Sequence, residues 1–340
     1  MMDTDDIART ARRAAAACAG LDASAAARRL AEDGILGLLA PEEVGGLGLP
    51  LSMAAPVVAA GAAELLPFPL TEALLLARLL GRSAPDTATA IVEGREVATI
   101  AWRGALRAEG SGALHGTVGR APMAGEARWL VAALEEGGAA LIDLRAASGS
   151  VTVEEDMSSL DLERPAALVT LRGVPAAQRI PAGADWSALL ADAQLLRAAE
   201  MLGSGEHCME TAIAHITERR AFGRPLVANQ GLRFELARHK LALENAKHAL
   251  DHALAVAGQD PHGQSIARLV ARATAAEAGP MLCEGAIQLH GGMGFTWDVP
   301  MHRHLRRVRD AAAQCDAIGA RAALAARVDE PAENEQGWAA

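Results

Sequence analysis

Apolar residues follow two different periods along the chain, and the change of period divides it. Residues 5–33 and 52–80 have apolar positions three to four apart and few glycines or prolines, which predicts helices. From residue 96 the apolar residues come in short β-prone pieces, such as EVATIAW and ARWLVAAL, with turn residues about every 8–12 positions. This spacing favours an antiparallel sheet or a small barrel over alternating strand–helix units.

Helical spacing returns from Trp186 to Val328. Breaks are expected at FGRP (222–225), at AGQDPHGQS (257–265) and at the glycine-rich stretch 291–294. The apolar face of the last helix is predicted to consist of Leu305, Val308, Ala312, Cys315 and Gly319. The sequence therefore predicts an α+β, mostly α fold: an N-terminal helical domain (1–94), a middle antiparallel β domain (95–183), a C-terminal four-helix bundle (184–328) and a flexible tail (329–340).

Composition limits the partners of the chain. A net charge of −10 argues against a nucleic-acid partner, which would require a basic surface. No uncharged apolar run reaches the ~18 residues of a membrane span, and the acidic MMDTDDIART lacks the apolar core of a signal peptide, so we expect a cytoplasmic protein. The four cysteines (Cys18, Cys208, Cys283 and Cys315) form no CxxC pair, so buried free thiols and no metal site are expected.

The segment ERRAFGRPLVANQ (218–230) combines a cation, an aromatic ring and a helix stop. Arg219 and Phe222 are three residues apart and share a helix face, and Gln230 follows at the start of the next helix. A guanidinium beside an aromatic ring suits a phosphate attached to a planar ring system. The alternative on spacing alone is a solvated arginine and a core phenylalanine at a helix–helix turn.

The segment IQLHGGMGF (287–295) places Gln288 one turn before Gly291 and Gly292. Glycine lets a backbone N–H approach an anion or a ring edge without a Cβ in the way. The alternative is a helix C-cap followed by a turn. A hydrolase or a nucleotide-binding loop is excluded because the chain has no GxSxG, no Walker P-loop and no GxGxxG after a strand.

The two segments, in this order and about 60 residues apart, resemble the acyl-CoA dehydrogenase family, as does LAEDGILGLLAPEEVGGLGL (30–49). The resemblance covers residues about 28–75 and 186–310. It implies the predicted domain order, FAD bound between subunits of a homodimer or homotetramer, an acyl-CoA substrate from fatty acid or lipid metabolism, and an electron-transfer flavoprotein as acceptor. It also implies cofactor contacts: Arg219, Phe222 and Gln230 would hold the pyrophosphate and adenosine portion of FAD, and Gln288 to Gly292 would reach it from the neighbouring subunit.

The segments that carry the family's chemistry depart from its pattern. The base that takes the α-proton is expected in a YEGT-like loop, but the chain reads RDAAAQCDAIG there, and Asp316 is the nearest carboxylate and the candidate base. A second position used by relatives falls near Ala193, and Glu200, two turns later, is expected to be solvated or paired within its helix. ATIAWRG, with Trp102, and RAPMAGEARWLV replace the TEPxxGSD-like and WIT-like segments that grip the flavin ring and thioester.

Four functional hypotheses follow from this combination. The chain is an FAD-dependent acyl-CoA dehydrogenase that desaturates an acyl-CoA thioester on its own, or it is a subunit of a heteromer with a homologous chain. A non-catalytic binding or structural protein on the same scaffold is the third. A flavin monooxygenase of the same fold, which needs no α-proton base, is the fourth.

Overall fold

Helices form the first and last parts of the described chain, and a sheet lies between them in sequence. The computed structural model describes residues 4–110, 112–145, 149–221, 223–257, 266–314 and 316–329. The N-terminal helices are α1 (Thr4–Ala16), α2 (Ala23–Glu32), α3 (Leu51–Ala63), α4 (Leu70–Ser83) and α5 (Pro85–Val92). Short 3-10 helices at Ile35–Gly37 and Glu42–Val44 interrupt the loop between α2 and α3. The predicted helical start of the chain is thus confirmed.

The middle of the chain forms one mixed sheet. Its strands are β1 (Ala98–Ala108), β2 (Ala113–Pro122), β3 (Trp129–Leu134), β4 (Ala139–Asp143), β5 (Val151–Glu155), β6 (Ala166–Pro175) and β7 (Gln178–Ile180), in the spatial order β5-β6-β2-β1-β3-β4-β7. The predicted sheet is confirmed with one difference: β1 and β3 run parallel, with Ala98 opposite Trp129. Sequence patterning does not reveal this pair, because parallel and antiparallel strands share the same two-residue alternation.

Both faces of the central strands are buried. In β3, Leu130 and Ala132 belong to a core made of sheet residues alone, together with Leu114 and Val169. Val131, which lies between them in sequence, belongs to the core that the sheet shares with the helices. Because side chains alternate along a strand, the two faces of β3 pack into two different cores.

The C-terminal part consists of long helices. They are α6 (Ala184–Glu218), α7 (Gln230–Val256), α8 (Ile266–His290), α9 (Met301–Gln314) and α10 (Ala317–Asp329), with short strands β8 (Arg220–Ala221) and β9 (Arg224–Pro225) and 3-10 helices at Leu226–Ala228 and Gly291–Phe295. Helix α6 packs against α3, α7, α8 and α9 and is buried almost all round from Leu195 to Ser204. It is the central element of the fold, and its C-terminal end carries the first predicted motif.

The predicted last helix is in fact two helices. Helix α9 ends at Gln314 and α10 begins at Ala317, and Asp316 between them has a positive φ of 48°. The apolar spacing continues across this break, so the sequence pattern predicted one helix. Cys315 lies outside the described residues, whereas Cys18, Cys208 and Cys283 are buried free thiols as predicted.

One core cluster joins residues of the N-terminal helices, the sheet and the C-terminal helices. The division into domains at residues 94/95 and 183/184 therefore stays a prediction, although β1 and α6 begin close to those positions. Over the ranges that the structure describes, we find no helix with the length and apolarity needed to cross a membrane.

Candidate functional site

The two predicted motifs meet at one end of the helical bundle. His215 lies in the last turn of α6, close to Arg219, and His290 is the last residue of α8, directly before Gly291. The two imidazole rings stack, with centroids 4.6 Å apart and planes inclined by 19°. The fold therefore brings Arg219 and the glycine bend, about 70 residues apart in sequence, to the same surface. We call this surface, formed by His215, Arg219, Gln288, Gly291 and Gly292, the motif edge.

The predicted contact residues are open to the outside of the chain. Arg219, Gln230, Gln288, Gly291 and Gly292 are all exposed, and Phe222 lies outside the described residues. Arg219 caps α6 through its backbone, donating its N–H to His215 O (2.8 Å), while its guanidinium has no ion pair among the residues that the structure describes. An exposed guanidinium without a carboxylate partner is free to bind an external anion.

The three glycines of the bend differ in whether the structure requires a glycine there. Gly291 directly follows α8 and has a φ of +61°, a left-handed conformation that favours glycine. At Gly294 a Cβ would come within 2.5 Å of Ile287 O, so packing excludes a side chain. Gly292 has no positive φ, and a Cβ there would meet no atom within 4 Å. Neither the backbone nor the packing of this chain requires a glycine at 292, which leaves room for a group from outside.

Large apolar side chains directly follow the glycines of the motif edge. Met293, Phe295 and Trp297 are 51%, 75% and 73% exposed. A group of large exposed apolar residues is typical of a protein–protein interface.

The predicted base lies elsewhere and has a different environment. Asp316 is exposed, and its Oδ1 accepts a hydrogen bond from Gly319 N (3.1 Å) at the start of α10. This is the arrangement of an N-cap residue. Ala193, the other position that the resemblance assigns to a base, is buried in α6 and offers no carboxylate. The assignment of Asp316 as a base therefore stays a prediction.

A buried charge cluster, which the sequence did not predict, fills the junction between the sheet and the helices. Asp161, in the loop between β5 and β6, is 3% exposed and accepts hydrogen bonds from Arg307 Nε of α9 (2.8 Å) and Arg164 Nε (3.0 Å). Arg164 also pairs with Glu200 of α6, which is 1% exposed. The expectation that Glu200 is solvated or paired within its helix is therefore wrong, because a partner arrives from the sheet.

Electrostatics in this cluster favour the ionised carboxylate. Burial alone would raise the pKa of Asp161, but the guanidinium groups of Arg307 and Arg164 outweigh it and hold the pKa well below its usual range. A buried charge is tolerated only when it is paired and hydrogen-bonded, and these groups satisfy that condition.

Two further links tie the divergent sheet segments to the helices. Trp102 Nε1 donates a hydrogen bond to Glu72 Oε1 of α4 (2.8 Å). The same Glu72 oxygen forms an ion pair with Arg197 of α6 (3.0 Å), and the Arg197 guanidinium lies 4.6 Å from the centroid of the Trp102 ring. Arg120 Nη1 donates to Asp310 Oδ1 of α9 (2.6 Å). Trp102 and Arg120 belong to the two segments that replace the flavin-gripping ones, and both are engaged by the chain itself.

The sequence indicates the buried charged residues only through the faces of the helices that carry them. Met301, Val308 and Ala311 mark the buried face of α9, and Arg307 is buried beside them. A charged residue at a core position of a helix indicates a partner from another element, but the sequence does not say which one.

A cavity of about 450 Å³ lies away from the motif edge, between α1, α3, α6 and α7. Small side chains such as Ala55, Ala59 and Gly203 line it, with Arg12 and His207 among its polar residues. Among the described residues, none of the predicted cofactor contacts lines this cavity.

Comparisons with known proteins agree with the fold and with the motifs. Residues 186–313 match the family described as acyl-CoA dehydrogenase, C-terminal domain. Acyl-CoA dehydrogenase FadE34 of Mycobacterium tuberculosis is 29% identical over 82% of this chain, and the match spans 38% of FadE34. Acyl-CoA dehydrogenase IpdE2 of the same organism is 28% identical over 82% of this chain and 78% of its own length.

Among solved structures, a chain of the ChsE4–ChsE5 complex from Mycobacterium tuberculosis superposes with a TM-score of 0.84, at 23% identity, over 97% of this chain and 100% of that one. At this identity the similarity shows a shared fold.

Proposed function

Because the chain belongs to the acyl-CoA dehydrogenase family, we propose that it is an FAD-binding subunit of a heteromeric acyl-CoA dehydrogenase. In this proposal Arg219 and the glycine bend of one chain contact the adenosine diphosphate side of the same FAD molecule, rather than reaching it from two subunits as the resemblance implies. A homologous partner chain holds the flavin ring of that FAD. The observation that carries the proposal is a contrast between two places in the described part of the chain. Arg219, Gln288, Gly291 and Gly292 at the motif edge are exposed, whereas side chains of the chain itself fill the sheet–helix junction.

The residues of the motif edge suit the outer half of FAD. The Arg219 guanidinium would bind the pyrophosphate, and Gln288 would hydrogen-bond the adenosine portion. On the family resemblance, Gln230 and Phe222 would contact the adenosine portion as well. The open space at Gly292 supports an approach of the dinucleotide to the backbone. A bound FAD would supply the acceptor for the hydride that leaves the β-carbon of the acyl-CoA thioester.

The residues of the sheet–helix junction do not suit the inner half of FAD. The resemblance assigns the flavin ring and thioester contacts to the segments that contain Trp102 and Arg120. In this chain both side chains are bound to helices through Glu72 and Asp310. A ring system could enter only by breaking charge pairs that are largely buried, which costs several kcal/mol per ion. The partner chain would therefore supply the flavin contacts.

A heteromer also agrees with the exposed aromatic residues at the motif edge and with the ChsE4–ChsE5 complex, a two-protein assembly of the same fold. An electron-transfer flavoprotein is the proposed electron acceptor, on the family resemblance alone. The acyl-CoA dehydrogenase that works as a homo-oligomer with its own base is the second candidate.

The test is flavin content. We expect the chain purified alone to contain little FAD and the chain co-expressed with a homologous acyl-CoA dehydrogenase subunit to contain close to one FAD per pair of chains, measured by flavin absorbance against protein concentration. FMN, which lacks the adenosine half, serves as the control and should not be retained. A yellow homo-oligomer, fully loaded and active with acyl-CoA, would refute the heteromer.

The role of Asp316 can be decided in the active assembly. Asparagine caps a helix about as well as aspartate, so the Asp316→Asn variant separates the two roles. A fall in turnover of about 100-fold or more, at unchanged thermal stability, is the result expected of a general base. Unchanged turnover would show that Asp316 is a helix cap and that another carboxylate takes the α-proton.

A further inference from the structure

His215 lies beside Arg219 and shares its surface. Arg219 follows α6 as its C-cap residue, and its N–H donates to His215 O at 2.8 Å, so the two residues lie at the same end of the helix. His215 is partly exposed. The family resemblance assigns no role to this position.

The stack with His290 fixes the His215 ring. His290 is buried, and its Nδ1 lies 2.8 Å from Ala286 O, so it donates its proton to a carbonyl that can only accept. One face of the His215 ring rests on this anchored imidazole. Within the described residues the His215 ring nitrogens form no hydrogen bond, which leaves them available to a ligand.

The surroundings of His215 lower its pKa on balance. Burial lowers this pKa, and so do His290 of α8 and the C-cap residue Arg219, against an opposing contribution from Glu218. Arg224 in β9 binds Asn229 instead (2.9 Å), and the 3-10 helix at 226–228 carries no titratable side chain. Without a ligand, His215 is therefore neutral at neutral pH. An anion beside Arg219 would offset the positive potential and favour the imidazolium.

We propose that His215 is a second, titratable ligand of the anionic diphosphate that Arg219 binds. This inference rests on the proposed FAD site. When the diphosphate binds, His215 takes up one proton from solvent and donates a charge-assisted hydrogen bond to it. The sign of the pH dependence follows from this uptake: the contribution of His215 to affinity is fully present below the pKa of the free protein and is lost as the pH rises through the higher pKa of the complex.

The test uses the two-chain assembly freed of FAD, with only this chain isotope-labelled, and ADP-ribose, which carries the adenosine diphosphate portion of FAD and whose diphosphate diester does not titrate near neutral pH. Binding is followed through the imidazole NMR signals between about pH 8 and about pH 6. A rise of one unit in the pKa of His215 corresponds to a tenfold gain in affinity, so we expect affinity to rise about threefold to tenfold over this range. The His215 signal should shift toward the imidazolium form when ADP-ribose is added.

Matched variants separate the possible outcomes. His215→Phe keeps a ring for the stack but has no proton, so its affinity should not change with pH, whereas His252→Phe, an exposed histidine of α7, should behave as the wild type. Arg219-dependent binding whose pH dependence survives in His215→Phe would overturn this inference and leave the FAD site standing. Binding that is absent, or indifferent to Arg219→Ala, would overturn the FAD site itself.

Discussion

Replacing Arg219 by alanine is expected to weaken FAD binding by the two-chain assembly about 10- to 100-fold. A hydrogen bond to a charged group contributes about 1.5–3 kcal/mol, and each 1.4 kcal/mol changes affinity about tenfold. The guanidinium is exposed and forms no ion pair within the described part of the chain, so its loss should not affect folding. The measurements are FAD titration of the apo assembly by flavin fluorescence and the thermal unfolding of the chain alone.

The neighbouring Arg220 provides the control, because it is also exposed but belongs to the short strand β8 rather than to the end of α6. Arg220→Ala should leave FAD affinity close to that of the wild type. Gly292→Ala probes the same edge by adding a methyl group where the chain has open space. It should lower FAD affinity without lowering the melting temperature. Equal losses of FAD and of stability in Arg219→Ala would contradict a ligand-binding role.

Replacing Asp161 by asparagine is expected to lower the free energy of unfolding at neutral pH by about 3–5 kcal/mol, because it leaves the buried Arg307 without its carboxylate. Arg307 is 1% exposed, and its remaining hydrogen bond goes to Leu66 O at 3.0 Å. The measurement is urea unfolding followed by circular dichroism. Glu284→Gln is the control: the Glu284–Arg309 pair is about half exposed, and such pairs contribute about 0–1 kcal/mol.

The difference in free energy of unfolding between the wild type and Asp161→Asn should depend on pH, and this dependence shows whether the ionised carboxylate causes it. The pKa of Asp161 is held below its usual range in the folded state, so the stabilisation is present above the unfolded-state pKa of about 3.9 and is lost as the pH falls toward the folded-state value. The gap in stability between wild type and Asp161→Asn should therefore stay constant from about pH 8 to about pH 5 and shrink below about pH 4. A gap that already narrows near neutral pH would show that the carboxylate is not held by the two guanidinium groups.

The secondary structure was largely predictable because periodicity reports which side of an element is buried. The change from helical to alternating spacing near residue 96 marked the sheet, and β1 begins at Ala98. Periodicity failed where it continues across a break: the apolar face from Leu305 to Gly319 crosses the turn at Asp316, and the two helices there share one pattern.

The sequence by itself determined the order of elements and the two motifs, because glycines, prolines and apolar spacing act through local backbone and side-chain geometry. Only the tertiary structure decided that the ends of α6 and α8 meet through His215 and His290, and that Asp161, Arg307 and Glu200 are buried. Charged side chains are expected at the surface, since burying one alone costs several kcal/mol. A charged side chain is buried only where an oppositely charged residue from a distant part of the chain pairs with it. Such pairing depends on how the faces of distant elements pack, and no local sequence pattern contains that information.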